Sequence, residues 1–107
     1  MTDKPSRLSW APRARQDLRD IYRYFAHLAS PDVADQLLRD IARAAERLRS
    51  RPLLGRPRDE ILSGLRSVRV HPYAIFYRIV AGRVQVVRVL HERRNLPETF
   101  TRETSGK

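Results

Sequence analysis

The chain is 107 residues long, the size of one domain, and is 41% hydrophobic and 32% charged, enough apolar material for one small core. Twenty-two Lys plus Arg against twelve Asp plus Glu give a net charge of +10, which calls for an anionic partner, either nucleic acid or an acidic protein. Without cysteine there is neither disulfide framework nor thiolate chemistry, as suits a reducing cytoplasm; no apolar run approaches a bilayer span, and the first residues lack the apolar core of a secretory signal.

Residues 7–10 predict a short strand. Pro12 then fits the first position of a helix, where a missing N–H costs nothing. Ala14, Leu18, Ile21, Tyr22, Phe25 and Leu28 follow at helical spacing and make one apolar stripe, with Asp17, Arg19, Asp20 and Arg23 assigned to the polar face. Ser30-Pro31-Asp32 restarts the chain as a second helix: a hydroxyl to cap, a fixed φ and an acid for the dipole. Its stripe is Ala34, Leu37, Leu38, Ile41, Ala45 and Leu48, and it stops near Arg51-Pro52, because the residue before proline disfavours the α region. So short a link predicts an antiparallel helical hairpin.

Residues 52–64, punctuated by Pro52, Gly55, Pro57 and Gly64, read as a loop. Beyond them the apolar period falls to two. Strands are predicted over 65–71, 73–80 and 83–91, the last two joined by a tight turn at Ala81-Gly82. In the last strand the apolar phase slips between Val86 and Val87, which means either a central strand buried on both faces or a bulge near Val87. The tail after Pro97 is polar and is expected to fray.

The order β-α-α-β-β-β predicts an α+β fold, a helical hairpin packed on a mostly antiparallel sheet. The expected core is Leu18, Ile21, Phe25, Leu38, Ile41, Leu48, Val68, Ile75 and Val87, with Trp10 and Tyr77 also inside and the Tyr77 hydroxyl needing a buried partner. The charge is uneven: residues 61–91 contain no acid, while Arg66, Arg69, Arg78, Arg83 and Arg88 make a positive field.

Five segments in register then carry a family likeness: Trp10-Ala11-Pro12-Arg13-Ala14 with Asp17-Leu18 and Ile21-Tyr22; Pro52-Leu53-Leu54-Gly55-Arg56-Pro57; Gly64-Leu65-Arg66; Tyr73-Ala74-Ile75-Phe76-Tyr77-Arg78; and Arg88-Val89-Leu90-His91-Glu92-Arg93-Arg94. In this order they resemble a ParE toxin of the RelE/ParE superfamily, over about residues 7–96. The resemblance implies a cytoplasmic toxin of a type II toxin–antitoxin system that inhibits DNA gyrase. It also implies a ParD-like antitoxin that wraps the toxin with an acidic segment and links it to DNA only indirectly.

The candidate partner-binding residues are Arg66, Arg69, Arg88, His91, Arg93 and Arg94. The last three end a strand, where side chains reach solvent; they are either a basic contact patch or an ordinary solvated strand end. Arg66 either grips a carboxylate or phosphate in two-point fashion or pairs internally with Asp59 or Glu60. His71 and His91 lack a second ligand type at metal-site spacing, so neither metal nor cofactor is expected, and His27 reads as a surface residue.

The alternative is a RelE-like ribosome-dependent mRNA endonuclease. That chemistry needs a proton acceptor, a proton donor and cations for the developing charge. Arginine supplies only the last, and the sole lysines are Lys4 and Lys107. No tyrosine follows Tyr77, so the lysines and late tyrosine of such nucleases are missing, and His91 alone titrates near neutral pH in the strand-end patch. No catalytic residue is therefore assigned.

Overall fold

The computed structural model describes residues 7–93 and Phe100. Its elements are β1 (Leu8–Trp10), α1 (Pro12–Leu28), α2 (Pro31–Ser50), β2 (Arg56–Pro57), β3 (Arg66–Val70), β4 (Tyr73–Val80) and β5 (Arg83–His91). The five strands form one sheet in the order β1-β5-β4-β3-β2. Only β1 runs parallel to its neighbour β5; the other pairs are antiparallel. The predicted α+β architecture is the one observed.

Local chemistry accounts for the helix ends. Pro12 opens α1 after the extended Ala11. The Ser30 hydroxyl accepts the Val33 N–H at 3.2 Å, with Pro31 and Asp32 in the first turn of α2. α2 stops at Ser50, and the capping Arg51 N–H bonds back to the Arg47 carbonyl just before Pro52.

Both helices cover one face of the sheet. Ala14, Ile21, Ile41, Ala45 and Leu48 meet Tyr73, Ile75 and Tyr77 of β4 and Val84, Val86 and Val89 of β5. The alternate residues of β4, Ala74 and Phe76, look the other way. There they join Leu65, Leu90 and Phe100 in a second apolar cluster. The sheet is thus buried on both faces at its centre. Of the expected core, Ile21, Ile41, Leu48 and Ile75 are buried, while Leu18, Phe25, Leu38, Val68 and Trp10 are half-buried against it. Val87 is half-buried as well, but packs against the second cluster on the opposite face.

The phase slip in β5 has both predicted causes. β5 lies between β1 and β4, and the ladder pairs Phe76 with Arg88 but Tyr77 with Val86. Val87 is the extra residue, so the face pattern shifts there. At the β4–β5 turn Ala81 and Gly82 have φ of 53° and 77°, the twist that a two-residue hairpin loop requires.

One segment departs from expectation. Within the predicted loop, Arg56 and Pro57 form β2, pairing with Ser67 and Arg66. Two residues are too few to show a period, and proline is tolerated because β2 is an edge strand. Arg94 and the tail expected to fray lie outside the described residues, apart from Phe100, whose ring meets Phe76 at 5.3 Å between centroids.

Candidate functional site

The structure divides the predicted site residues among three places. Arg69, His91 and Arg93 share the sheet end where β3 and β5 finish and β4 begins. Arg69 grips Glu92 at two points, 3.1 and 2.9 Å, and His71 Nδ1 lies 3.5 Å from the same carboxylate. The hydrogen bond from Arg69 holds the Glu92 carboxyl below the usual glutamate range, and Glu92 in turn raises the Arg69 guanidinium. His91 Nδ1 accepts the Arg93 N–H at 3.1 Å, and its ring meets the edge of Tyr73. Arg93 itself is exposed.

Arg66 sits at the far end of β3 and does different work. Its guanidinium donates to the carbonyls of Gly55 at 2.6 Å and Leu53 at 3.3 Å. The alternative ion pair with Asp59 or Glu60 is not made among the described residues: Glu60 pairs with Arg58 at 2.8 Å, and Asp59 accepts the Gly64 N–H.

Arg88 requires a correction. It is only 3% exposed and lies against α1, where its guanidinium meets both oxygens of Asp17. A surface partner cannot reach it in this arrangement. Asp17, assigned to the polar face of α1, is buried with it and also accepts the Val89 N–H at 2.9 Å.

Tyr77 has the buried partners its hydroxyl needed. It donates to the Pro52 carbonyl at 2.7 Å and accepts the Gly55 N–H at 2.8 Å. Burial pushes its phenol above the ordinary range, and burial does the same to Tyr73. Gly55 is dictated by this approach: a Cβ there would stand 2.6 Å from the Tyr77 hydroxyl oxygen and 2.8 Å from the Ser67 carbonyl.

A cleft connects the strand end to this loop. Leu54, Arg56, Arg58, Ser67, Arg69 and Glu92 line it. Arg58 is braced by Ser67 Oγ at 3.1 Å and by the Phe76 ring, 5.5 Å from the guanidinium carbon. Sequence reasoning passed over Arg56 and Arg58. The available signal was an acid-free stretch, residues 47–58, that holds five arginines. A second surface is an open groove on the helical hairpin. Leu18, Tyr22, Ala26 and Leu38 form it, flanked by Arg19 and Arg23.

The fold, a helical hairpin on a sheet whose first strand runs parallel to its last, is shared with solved toxin–antitoxin systems. The structure is similar to the chromosomal ParDE toxin–antitoxin system of P. aeruginosa, with a TM-score of 0.73 and 24% identity, covering 80% of this chain and 95% of that one. It is also similar to the toxin–antitoxin complex RelBE2 of Mycobacterium tuberculosis, with a TM-score of 0.63 and 26% identity over 82% of this chain and 99% of the other. Residues 8–96 match the family described as ParE toxin of type II toxin-antitoxin system, parDE, and the chain belongs to that family. Its relatives include Toxin ParE1 of Mycobacterium tuberculosis, 36% identical over 82% of this chain and 91% of the relative. Toxin ParE1 of Caulobacter vibrioides is 34% identical over 86% and 93%.

Proposed function

We propose that this toxin inhibits DNA gyrase by binding it, without chemistry of its own, and that a ParD-like antitoxin neutralises it. The family match across residues 8–96 carries the reading. Binding rather than catalysis is favoured by how the candidate cations are used. Arg66 is spent on backbone carbonyls, Arg69 on Glu92 and Arg88 on Asp17. Cations already committed to internal partners are poorly placed to stabilise charge that develops only in a transition state.

The antitoxin's place in this reading is the groove on the helical hairpin. Its aliphatic and aromatic floor between Arg19 and Arg23 suits an amphipathic segment whose polar side is acidic. Tyr24, Leu28 and Val33, exposed on the same hairpin, offer further apolar contact. Association is electrostatically steered, with on-rates that fall as salt rises.

The mRNA endonuclease remains the second reading, because the cleft joins Glu92 to Arg56 and Arg58. Against it, the Arg69 hydrogen bond makes Glu92 a weaker base than an ordinary glutamate. Expression without antitoxin separates the two. A gyrase inhibitor blocks replication, induces the DNA-damage response and yields filaments, and the purified protein inhibits supercoiling by gyrase. Translation that stops first, with cuts in ribosome-bound message, would replace the proposal with the nuclease.

A further inference from the structure

Residues 52–55 form a loop just before β2 whose backbone is fastened while two leucines stand in solvent. Leu53 is 67% exposed and Leu54 41%. Single exposed apolar side chains are ordinary on protein surfaces and carry no argument. Here the backbone beneath an adjacent pair is fastened from both sides. The Tyr77 hydroxyl bridges Pro52 and Gly55, Arg66 donates to Leu53 and Gly55, and the Leu54 N–H bonds to the Arg51 carbonyl at 3.0 Å. The loop core therefore rests on a buried tyrosine and a guanidinium rather than on its own side chains.

Along the chain, the charge beside the leucines has one sign. Arg51 and Arg56 are exposed and make no ion pair among the described residues, and no acid lies between Glu46 and Asp59. Leu54 also lines the cleft that leads to Arg69 and Glu92, so the loop is continuous with the basic strand end. A nucleic acid fits this surface poorly. The bases of a single strand need exposed aromatic faces to stack on, and the rings beside this surface, Tyr77 under the loop and Phe76 beneath Arg58, are both buried.

We propose that this loop is a pre-organised docking element: Leu53 and Leu54 enter an apolar pocket on the toxin's target protein, and Arg51 and Arg56 meet carboxylates at its rim. A projection already fixed loses little conformational entropy on docking, so it suits a folded partner with a formed pocket. A disordered antitoxin segment orders on whatever surface it meets and does not need such rigidity. The inference rests on the reading that the protein acts by binding a target, but not on that target being gyrase.

The test is toxicity. Wild type, Leu53→Ser with Leu54→Ser, Arg56→Glu and Tyr77→Phe are induced in cells without antitoxin, with survival counted and a DNA-damage reporter read in the same cultures. The loop variants should raise survival roughly tenfold or more, the effect of losing a central interface side chain. They should do so with melting temperatures equal to wild type, since the altered side chains are exposed. Tyr77→Phe, which keeps both leucines but frees the loop, should give an intermediate loss. Should the double serine variant melt lower, Leu53→Ala alone removes only solvent-facing methyls and keeps the test decisive. Full toxicity from either loop variant, folded as wild type, overturns the proposal, as does a wild-type chain that leaves growth untouched. Killing without a damage signal removes gyrase as the target yet leaves the loop judged by survival.

Discussion

Asp17 and Arg88 stand 71 residues apart in the chain and meet through two parallel hydrogen bonds of 2.8 and 2.9 Å, with the pair almost wholly out of water. The same carboxylate accepts the backbone N–H of Val89. One acidic side chain thus ties the first turns of α1 to β5 just past its bulge, and two-point geometry fixes the direction as well as the distance.

Breaking this pair should destabilise strongly. Asp17→Asn takes a carboxylate away from the buried Arg88 guanidinium, and removing one partner of a buried pair costs about 3–5 kcal/mol. Asp17→Leu combined with Arg88→Met removes both charges and should recover most of that loss. Urea unfolding of the two variants checks it; a single variant no weaker than the double one would show that the pair does not bind α1 to the sheet.

The pair also marks where sequence reasoning stopped. The helices were legible because Ala14, Ile21, Ile41 and Leu48 recur at helical spacing and Ser30-Pro31-Asp32 punctuates them. β4 was legible because Tyr73, Ile75 and Tyr77 alternate with Ala74 and Phe76. Asp17 was misplaced on identity alone. It lies three residues after Ala14 and four before Ile21, inside the apolar stripe, and that position was the signal. Nothing local announces its partner on the last strand. The roles of Arg66 and Tyr77 were hidden for a related reason: both end on backbone atoms of the 52–55 loop, and carbonyls have no sequence signature. The strand-end patch was found by position, since β5 stops at His91, but its internal pairing to Glu92 depended on the neighbouring β3.

Ile41 is fully buried between the helices and the sheet. Ile41→Ala removes its branched side chain from a packed site, a change that costs about 2–5 kcal/mol. A melting temperature within a degree of wild type would contradict this placement.

Glu92 gives a pH-dependent observable. Its carboxyl is held low by the Arg69 hydrogen bond, so the stabilisation is present above the unfolded glutamate's pKa and fades as pH falls through the lower folded value. The pair is exposed on the arginine side, 74% for that side chain, so its effect on overall stability is small and screened by salt. The site-resolved signal is the better probe. In an NMR titration the Glu92 midpoint should lie below that of an ordinary glutamate, and Arg69→Ala should move it upward. An unchanged midpoint in that variant would mean the contact is not formed in solution.

The last prediction separates binding from catalysis at the strand end. His91 is half-buried, accepts the Arg93 N–H and leans on Tyr73, so its ring has a structural place independent of any proton transfer. His91→Gln keeps a hydrogen-bond acceptor while removing the imidazole that could act as a general base. An essential general base contributes roughly 10²–10⁴-fold to rate, so this variant would cripple a nuclease. A binding inhibitor should lose far less, because only a ring edge and one hydrogen bond are disturbed. Arg93→Ala with Arg94→Ala should have the opposite profile. Arg93 is exposed, so its truncation should leave the melting temperature where it was while lowering toxicity. The double arginine variant should also keep its antitoxin, whose proposed groove lies on the helices. If His91→Gln abolishes toxicity and the purified wild type cuts ribosome-bound message, the strand end is a catalytic centre and the gyrase reading falls.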